Sequence, residues 1–363
     1  MKTKFFLLLS GFFVLSIVFF SCSKSSDDAQ YDTIPAVKVD LAQIPYAKLS
    51  DYNFFEGDLK NQNPRATVLP YQPASSLFTD YAHKKRFVWM PSGTKATFES
   101  ESKVLQLPVG SALIKTFYYD NVQPSNTTRI METRVMIRKS TGWVFAEYVW
   151  NADQTEATLN LNGSYSPVTW KDENNVIKST NYRIPSETEC KICHKYNEQG
   201  IPIGIKPQNL NNMMTYNGTS VNQLTKWIQV GYLENNLPSN MLATVDYNDT
   251  SKSLSLRARS YLDINCAHCH QTNSHCDYRP MRFAFSETTI PSNLGICVPQ
   301  QDATVGSGLT AVVVPNNINR SMLYYRLNTT DESFRMPLLG RSIIHTEGLT
   351  LLEQWINTLP ACN

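Results

Sequence analysis

The chain is short of charge imbalance, of histidine and of long apolar runs, and each shortage excludes something. Its 33 Lys and Arg stand against 31 Asp and Glu, and two of the lysines, Lys2 and Lys4, fall in the first four residues. No basic excess or dense charge block points to nucleic acid. The longest apolar stretch, residues 5–20, has 16 residues, short of the roughly 20 that span a bilayer. No solenoid-period repeat is present, and no acid–base or nucleophilic constellation stands out, so no catalytic residue is assigned. Histidine is scarce, with six in 363 residues, which makes the placing of each one informative.

What is present begins at the N-terminus. Lys2 and Lys4, the apolar run 5–20, Ser21-Cys22 and the polar Ser23-Lys24-Ser25-Ser26-Asp27-Asp28 follow the plan of a secretory signal. Ser21-Cys22 resembles a bacterial lipobox, despite Phe19 and Phe20 where smaller residues are usual. Residues 1–21 are therefore expected to be a lipoprotein signal peptide. Cys22 would be the lipid anchor, and residues 22–45 a polar tether punctuated by Pro35 and Pro45. Multiple acyl chains on one cysteine would hold the protein stably on a membrane.

Residues 46–180 read as β-rich. Met131, Thr133, Val135 and Ile137 alternate with Glu132, Arg134, Met136 and Arg138, the period of a half-buried strand. Lys139-Ser140-Thr141-Gly142 supplies a turn, and 143–150 returns as a second strand. Asn162-Gly163, between 157–161 and 165–170, predicts a two-residue hairpin. Beyond residue 180 the pattern turns helical and loop-rich. Helices are expected over 221–233, over 253–265, and from Thr346 until Pro360 stops the last one. Ser186 and Glu189 form a capping box for one turn after Pro185.

The chemistry lies in Cys190-Lys191-Ile192-Cys193-His194 and Cys266-Ala267-His268-Cys269-His270. Both are C-x-x-C-H, the attachment site of c-type haem. Two thiols on one turn can form thioethers to one porphyrin, and the next residue presents an imidazole to its iron. Shuffling this composition would give roughly 0.003 such motifs per chain, so chance is not the rival explanation. Zinc is, because Cys and His at this spacing also suit a tetrahedral site. An exported destination favours two covalently bound haems c, with Cys190, Cys193, Cys266 and Cys269 as tethers and His194 and His270 on iron.

Helix, C-x-x-C-H, long loop, Met336-Pro337 and closing helix is an order similar to that of class I cytochromes c over residues 251–360. That resemblance implies Met336 as the distal ligand of the second haem. For the first haem Met213, Met214, Met241, His83, His275 and His345 are all candidates, and an open sixth position is another. His268 reads as a spacer. Among Cys276, Cys297 and Cys362 three pairings are possible, with Cys276–Cys297 the nearest in sequence and Cys362 left over.

Several stretches carry a wider resemblance. They are Leu49-Ser50-Asp51-Tyr52-Asn53-Phe54-Phe55, Leu77-Phe78-Thr79-Asp80-Tyr81-Ala82, Val149-Trp150-Asn151, the run 258–270 and Met336-Pro337-Leu338-Leu339-Gly340-Arg341. Over residues 46–360 the chain resembles the large dihaem c-type cytochrome lipoproteins of Gram-negative bacteria. The resemblance implies a multidomain α+β protein: a β-rich N-terminal module at 46–180, then a mainly α-helical cytochrome c-like haem-binding region. The latter would comprise a first haem segment at 181–250 and a second, class I cytochrome c-like domain at 251–363. It also implies a place on the outer membrane, facing periplasm or cell surface, with redox proteins as partners and a parallel β-helix lipoprotein as a neighbour. An electron carrier is the expected function. The rivals are a peroxidase-like haem enzyme using an open site on the first haem, and a zinc-dependent binding module.

Overall fold

Backbone polar groups in the middle of this chain are satisfied by one large antiparallel sheet. The computed structural model describes residues 36–302 and 308–362; the expected signal peptide, Cys22 and most of the expected tether lie outside them. The sheet comprises β1 (Leu69–Pro70), β2 (His83–Trp89), β3 (Ala112–Val122), β4 (Thr127–Lys139), β5 (Gly142–Trp150), β6 (Ala157–Leu159), β7 (Ser164–Lys171) and β8 (Ile177–Ile184). Its order is β8-β7-β3-β4-β5-β6, with β2 paired to β3 and β1 to β2. The expected strand at 129–138, its turn and the return strand are all present as β4 and β5.

The Asn162-Gly163 hairpin is not formed. β6 pairs back onto β5, and β7 pairs with β8. Gly163 does take a positive φ of 72°. A Cβ there would meet the Ser186 nitrogen at 2.8 Å, so the glycine serves a close approach of chain to chain rather than a two-residue turn.

Register sorts the two faces. Side chains alternate along a strand, so Phe87, Ile114, Val135 and Ala146, paired in one row, point one way. Leu49, Tyr52 and Phe54 cover them in one apolar cluster. The opposite face carries an apolar row, Val88–Leu113–Met136–Phe145, and beside it a charged row, Arg86–Lys115–Arg134–Glu147. The apolar row is covered by Cys190, Ile205, Leu210 and Trp227 from beyond residue 180.

The expected mainly α-helical, cytochrome c-like region is not what forms there. α1 (Glu187–Cys193), α2 (Pro207–Leu210), α3 (Gln223–Gln229), α4 (Leu254–Leu262), α5 (Met322–Leu327) and α6 (Thr346–Ile356) have 7, 4, 7, 9, 6 and 11 residues. Turns, small hairpins and long loops connect them. The reason is chemical: Pro202, Pro238, Pro280, Pro299 and Pro315 fall in the connecting stretches and lack the N–H that a helix interior needs. Val221, expected in a helix, instead sits in a strand, Thr219–Asn222, whose last residue caps α3. No described helix is long and apolar enough to cross a membrane. Val37–Asn363 form one unit by their contacts.

Candidate functional site

The first motif is held by its own cap. Ser186 Oγ accepts from the Glu189 N–H at 3.3 Å, and the Glu189 carboxylate accepts from the Ser186 N–H at 2.7 Å. Arg183 pairs with that carboxylate at 2.6 Å. One short helix results, so Cys190 faces the sheet, where its Sγ donates to Glu147 Oε1 at 2.8 Å. α1 ends at Cys193, and the chain turns back through Lys195–Tyr196 and Gln199–Gly200. That reversal brings the Ile201 carbonyl to His194 Nδ1 at 2.8 Å. A carbonyl only accepts, so Nδ1 carries the proton and Nε2 is left as a lone-pair donor. Burial pushes His194 down to about 3, keeping the imidazole neutral.

Beside it lies a cavity of about 1150 Å³, including its open mouth, lined by Cys190, Cys193, His194, Met136, Phe145 and Leu339 among others. Phe145 stands edge-on to the His194 ring, centroids 5.2 Å apart.

The second motif follows α4 through a wide helical turn, Asp263–Ala267. Asp263 fixes this turn. Its carboxylate accepts from Lys206 Nζ (3.0 Å), Gln208 Nε2 (3.2 Å), Asn209 Nδ2 (3.1 Å) and the Phe285 N–H (3.0 Å). Three of the donors come from the segment just after the first motif, so one carboxylate ties the two motif regions together. His270 is buried and pushed down to about 4 by desolvation, and its Nδ1 has no partner. A second cavity, about 1090 Å³ with its mouth, is lined by Cys266, His270, Met336, Phe283 and Leu323 among others. Sequence reasoning set Met336 with the second motif, and the fold brings it to the same cavity as Cys266 and His270.

The two motifs also meet each other. Cys193 Sγ, Cys269 Sγ and a His268 ring nitrogen all lie within 4.8 Å of one another. The hydrogen bond from Cys269 pulls the Cys193 thiol well below its ordinary pKa and raises that of Cys269. His268 was read as a spacer; only the meeting of two distant segments gives it a role.

Do these residues fit a haem? Each cavity is lined by cysteine, by a neutral imidazole of its motif and by apolar side chains, and the first also carries Lys115, Arg134, Glu147, Arg183 and Glu189. His194 has its Nδ1 engaged by a backbone carbonyl, the arrangement that orients a ligating histidine. The donor set fits. No family model matches this chain, and no curated protein or solved structure matches it either.

Other expectations fare differently. The disulfide is Cys297–Cys362, with Cα atoms 5.9 Å apart, not Cys276–Cys297. Cys276 is a buried free thiol, tied into the second motif because its N–H donates to the Cys269 carbonyl at 3.0 Å. It also lines the second cavity. None of the six candidates for a sixth ligand lines the first cavity. Met213 is 61% exposed. His83 sits on β2 beside Asp120, and His345 is stacked on Phe78 with its Nδ1 against the Tyr261 hydroxyl. The side chains on that cavity with a lone pair to offer iron instead include Tyr71, Met136, Glu147 and His268.

Proposed function

We propose that this chain is an exported dihaem c-type cytochrome that transfers electrons in the cell envelope, lipid-anchored through Cys22 to the outer membrane. The observation that carries the reading is the pair of C-x-x-C-H motifs, each lining its own cavity with a neutral imidazole, half-buried at His194 and buried at His270. Cys190 and Cys193 would tether one haem and Cys266 and Cys269 the other. His194 and His270 would hold the irons, with the Met336 thioether as the second iron's distal ligand. Haem, when bound, supplies one-electron exchange between ferric and ferrous states.

The chain's own residues do the rest. The Ile201 carbonyl fixes the His194 tautomer and raises the basicity of Nε2. Phe145 and Phe283 wall the two imidazoles and limit water, which tunes potential through local polarity. Cys193 and Cys269 meeting within 4.8 Å supports electron exchange between the two sites. Redox proteins of the envelope would be the partners, with a β-helix lipoprotein as neighbour. A haem-stained gel and a pyridine haemochrome assay on envelope fractions test the reading: two covalent haems per chain support it.

A second reading rests on the same meeting point. Cys193, Cys269 and His268 offer two thiolates and an imidazole, ligand types that zinc favours. Metal analysis of a colourless protein returning one zinc per chain would select that reading.

A further inference from the structure

The charged row on the sheet carries an inference of its own. Arg86 on β2 pairs directly with Lys115 on β3, which pairs with Arg134 on β4, which pairs with Glu147 on β5. Lys84 stands two residues from Arg86 on the same face. Like charges set opposite each other on neighbouring strands destabilise a sheet, and a buried cation is costly unless it is paired. The nearby carboxylates make their contacts elsewhere. Glu132 binds Arg134 through both oxygens, at 2.6 and 3.0 Å, and also accepts from the Tyr182 hydroxyl. Glu147 accepts from Cys190 through Oε1 while its Oε2 has no partner, and Asp80 accepts from the Ser342 hydroxyl and the Ser342 and Ile343 N–H groups.

Among the described residues, Lys84, Arg86 and Lys115 therefore have no carboxylate partner. Arg86 is 7% exposed. Lys115 lines the cavity that His194 and Cys190 line, and Arg134 lines it too. Burial and mutual repulsion lower the pKa of both lysines well below the ordinary lysine range. A bound anion would remove this penalty.

We propose that Lys115, backed by Arg86 and Lys84, forms a carboxylate- or oxyanion-binding site on the wall of the first cavity. The anion could be the propionate groups of a porphyrin tethered at Cys190 and Cys193, or a free small oxyanion reaching the same cavity. The first source rests on the haem reading; the second does not.

The test uses the full mature protein, wild type and Lys115→Met, Arg86→Met and Lys115→Arg, with Lys178→Met on β8 as an exposed control. Sulfite, nitrite and phosphate are titrated calorimetrically. The midpoint potential of each haem and the propionate vibrations in resonance Raman are measured alongside. If propionates are the ligand, no free anion binds. Lys115→Met and Arg86→Met then lower one midpoint and shift the propionate band, while Lys115→Arg and Lys178→Met leave both in place. If a free oxyanion is the ligand, the wild type binds at least one probe, Lys115→Met weakens it tenfold or more, and Lys115→Arg largely restores it. Absence of binding together with unmoved potentials and bands in both Met variants overturns the proposal. Should those variants not fold, failure of the folded Lys115→Arg and wild-type proteins to bind any probe, with a propionate band typical of water-exposed groups, overturns it equally. A chain without porphyrin refutes the haem reading alone, because the calorimetric titration still decides the anion site.

Discussion

Removing the Asp263 carboxylate should cost this protein more than almost any other single change. The side chain is 1% exposed, and its Lys206 partner 11%. Asp263→Ala would leave the Lys206 ammonium without its counter-charge, and two side-chain amides and the Phe285 N–H without an acceptor. Breaking a buried ion pair by deleting one partner costs about 3–5 kcal/mol. At about 2.1 cal/mol/K of unfolding entropy per residue, that corresponds to a melting-point drop of roughly 4–7 °C for a chain of this size. Asp263→Asn keeps one acceptor oxygen but loses the charge, so its loss should be clearly smaller. Urea unfolding followed by far-UV circular dichroism would measure both, at fixed pH and with m-values compared. A loss below about 1 kcal/mol for Asp263→Ala would contradict the role given to this carboxylate. So would an Asn variant as damaged as the Ala variant.

The other expectations are simpler. Cys297→Ser opens a link spanning 65 residues, worth about 4 kcal/mol in the chain-entropy account; urea midpoints with and without reductant check it, and equal midpoints would count against it. Burial lowers His345 to about 4 from 6.5, so the folded chain holds it neutral while the unfolded chain takes a proton. Its contribution, up to about 3 kcal/mol, is complete above pH 6.5 and is lost as pH falls toward 4. His345→Phe, which keeps a ring against Phe78, should flatten the stability profile between those values. Met336→Ala should turn one haem from low-spin to high-spin and lower its potential while leaving the haem count at two. A high-spin ferric signal in the wild type that changes with peroxide or cyanide would instead favour a haem enzyme acting at the first site.

How much of this was legible beforehand depended on how local the signal was. β4 and β5 could be read because alternation at Met131, Thr133, Val135 and Ile137 and the turn at 140–141 are properties of adjacent residues. The Ser186–Glu189 cap was legible for the same reason. The two C-x-x-C-H motifs and Met336 were visible as chemistry. What they meet was not, because Ile201, Glu147 and Phe145 reach the first motif only through folding. Asn162-Gly163 misled because its flanking strands find better partners elsewhere in the sheet. Helix content was overestimated from apolar spacing near Val221, where the chain instead forms a hairpin before α3. The charged row could have been suspected from Arg86, Lys115 and Arg134, each in a strand pattern among apolar neighbours. Only the register sets them side by side. The disulfide was misassigned because sequence proximity said nothing of Cys362 returning to Cys297 after α6.

The central claim is that four thiols carry porphyrin. Intact mass of the mature protein, made in a host competent for cytochrome c maturation and paired with a pyridine haemochrome spectrum, tests it most directly. The account predicts two porphyrin additions per chain that survive denaturation. A colourless polypeptide at its bare mass, with four motif cysteines open to alkylation, would contradict it.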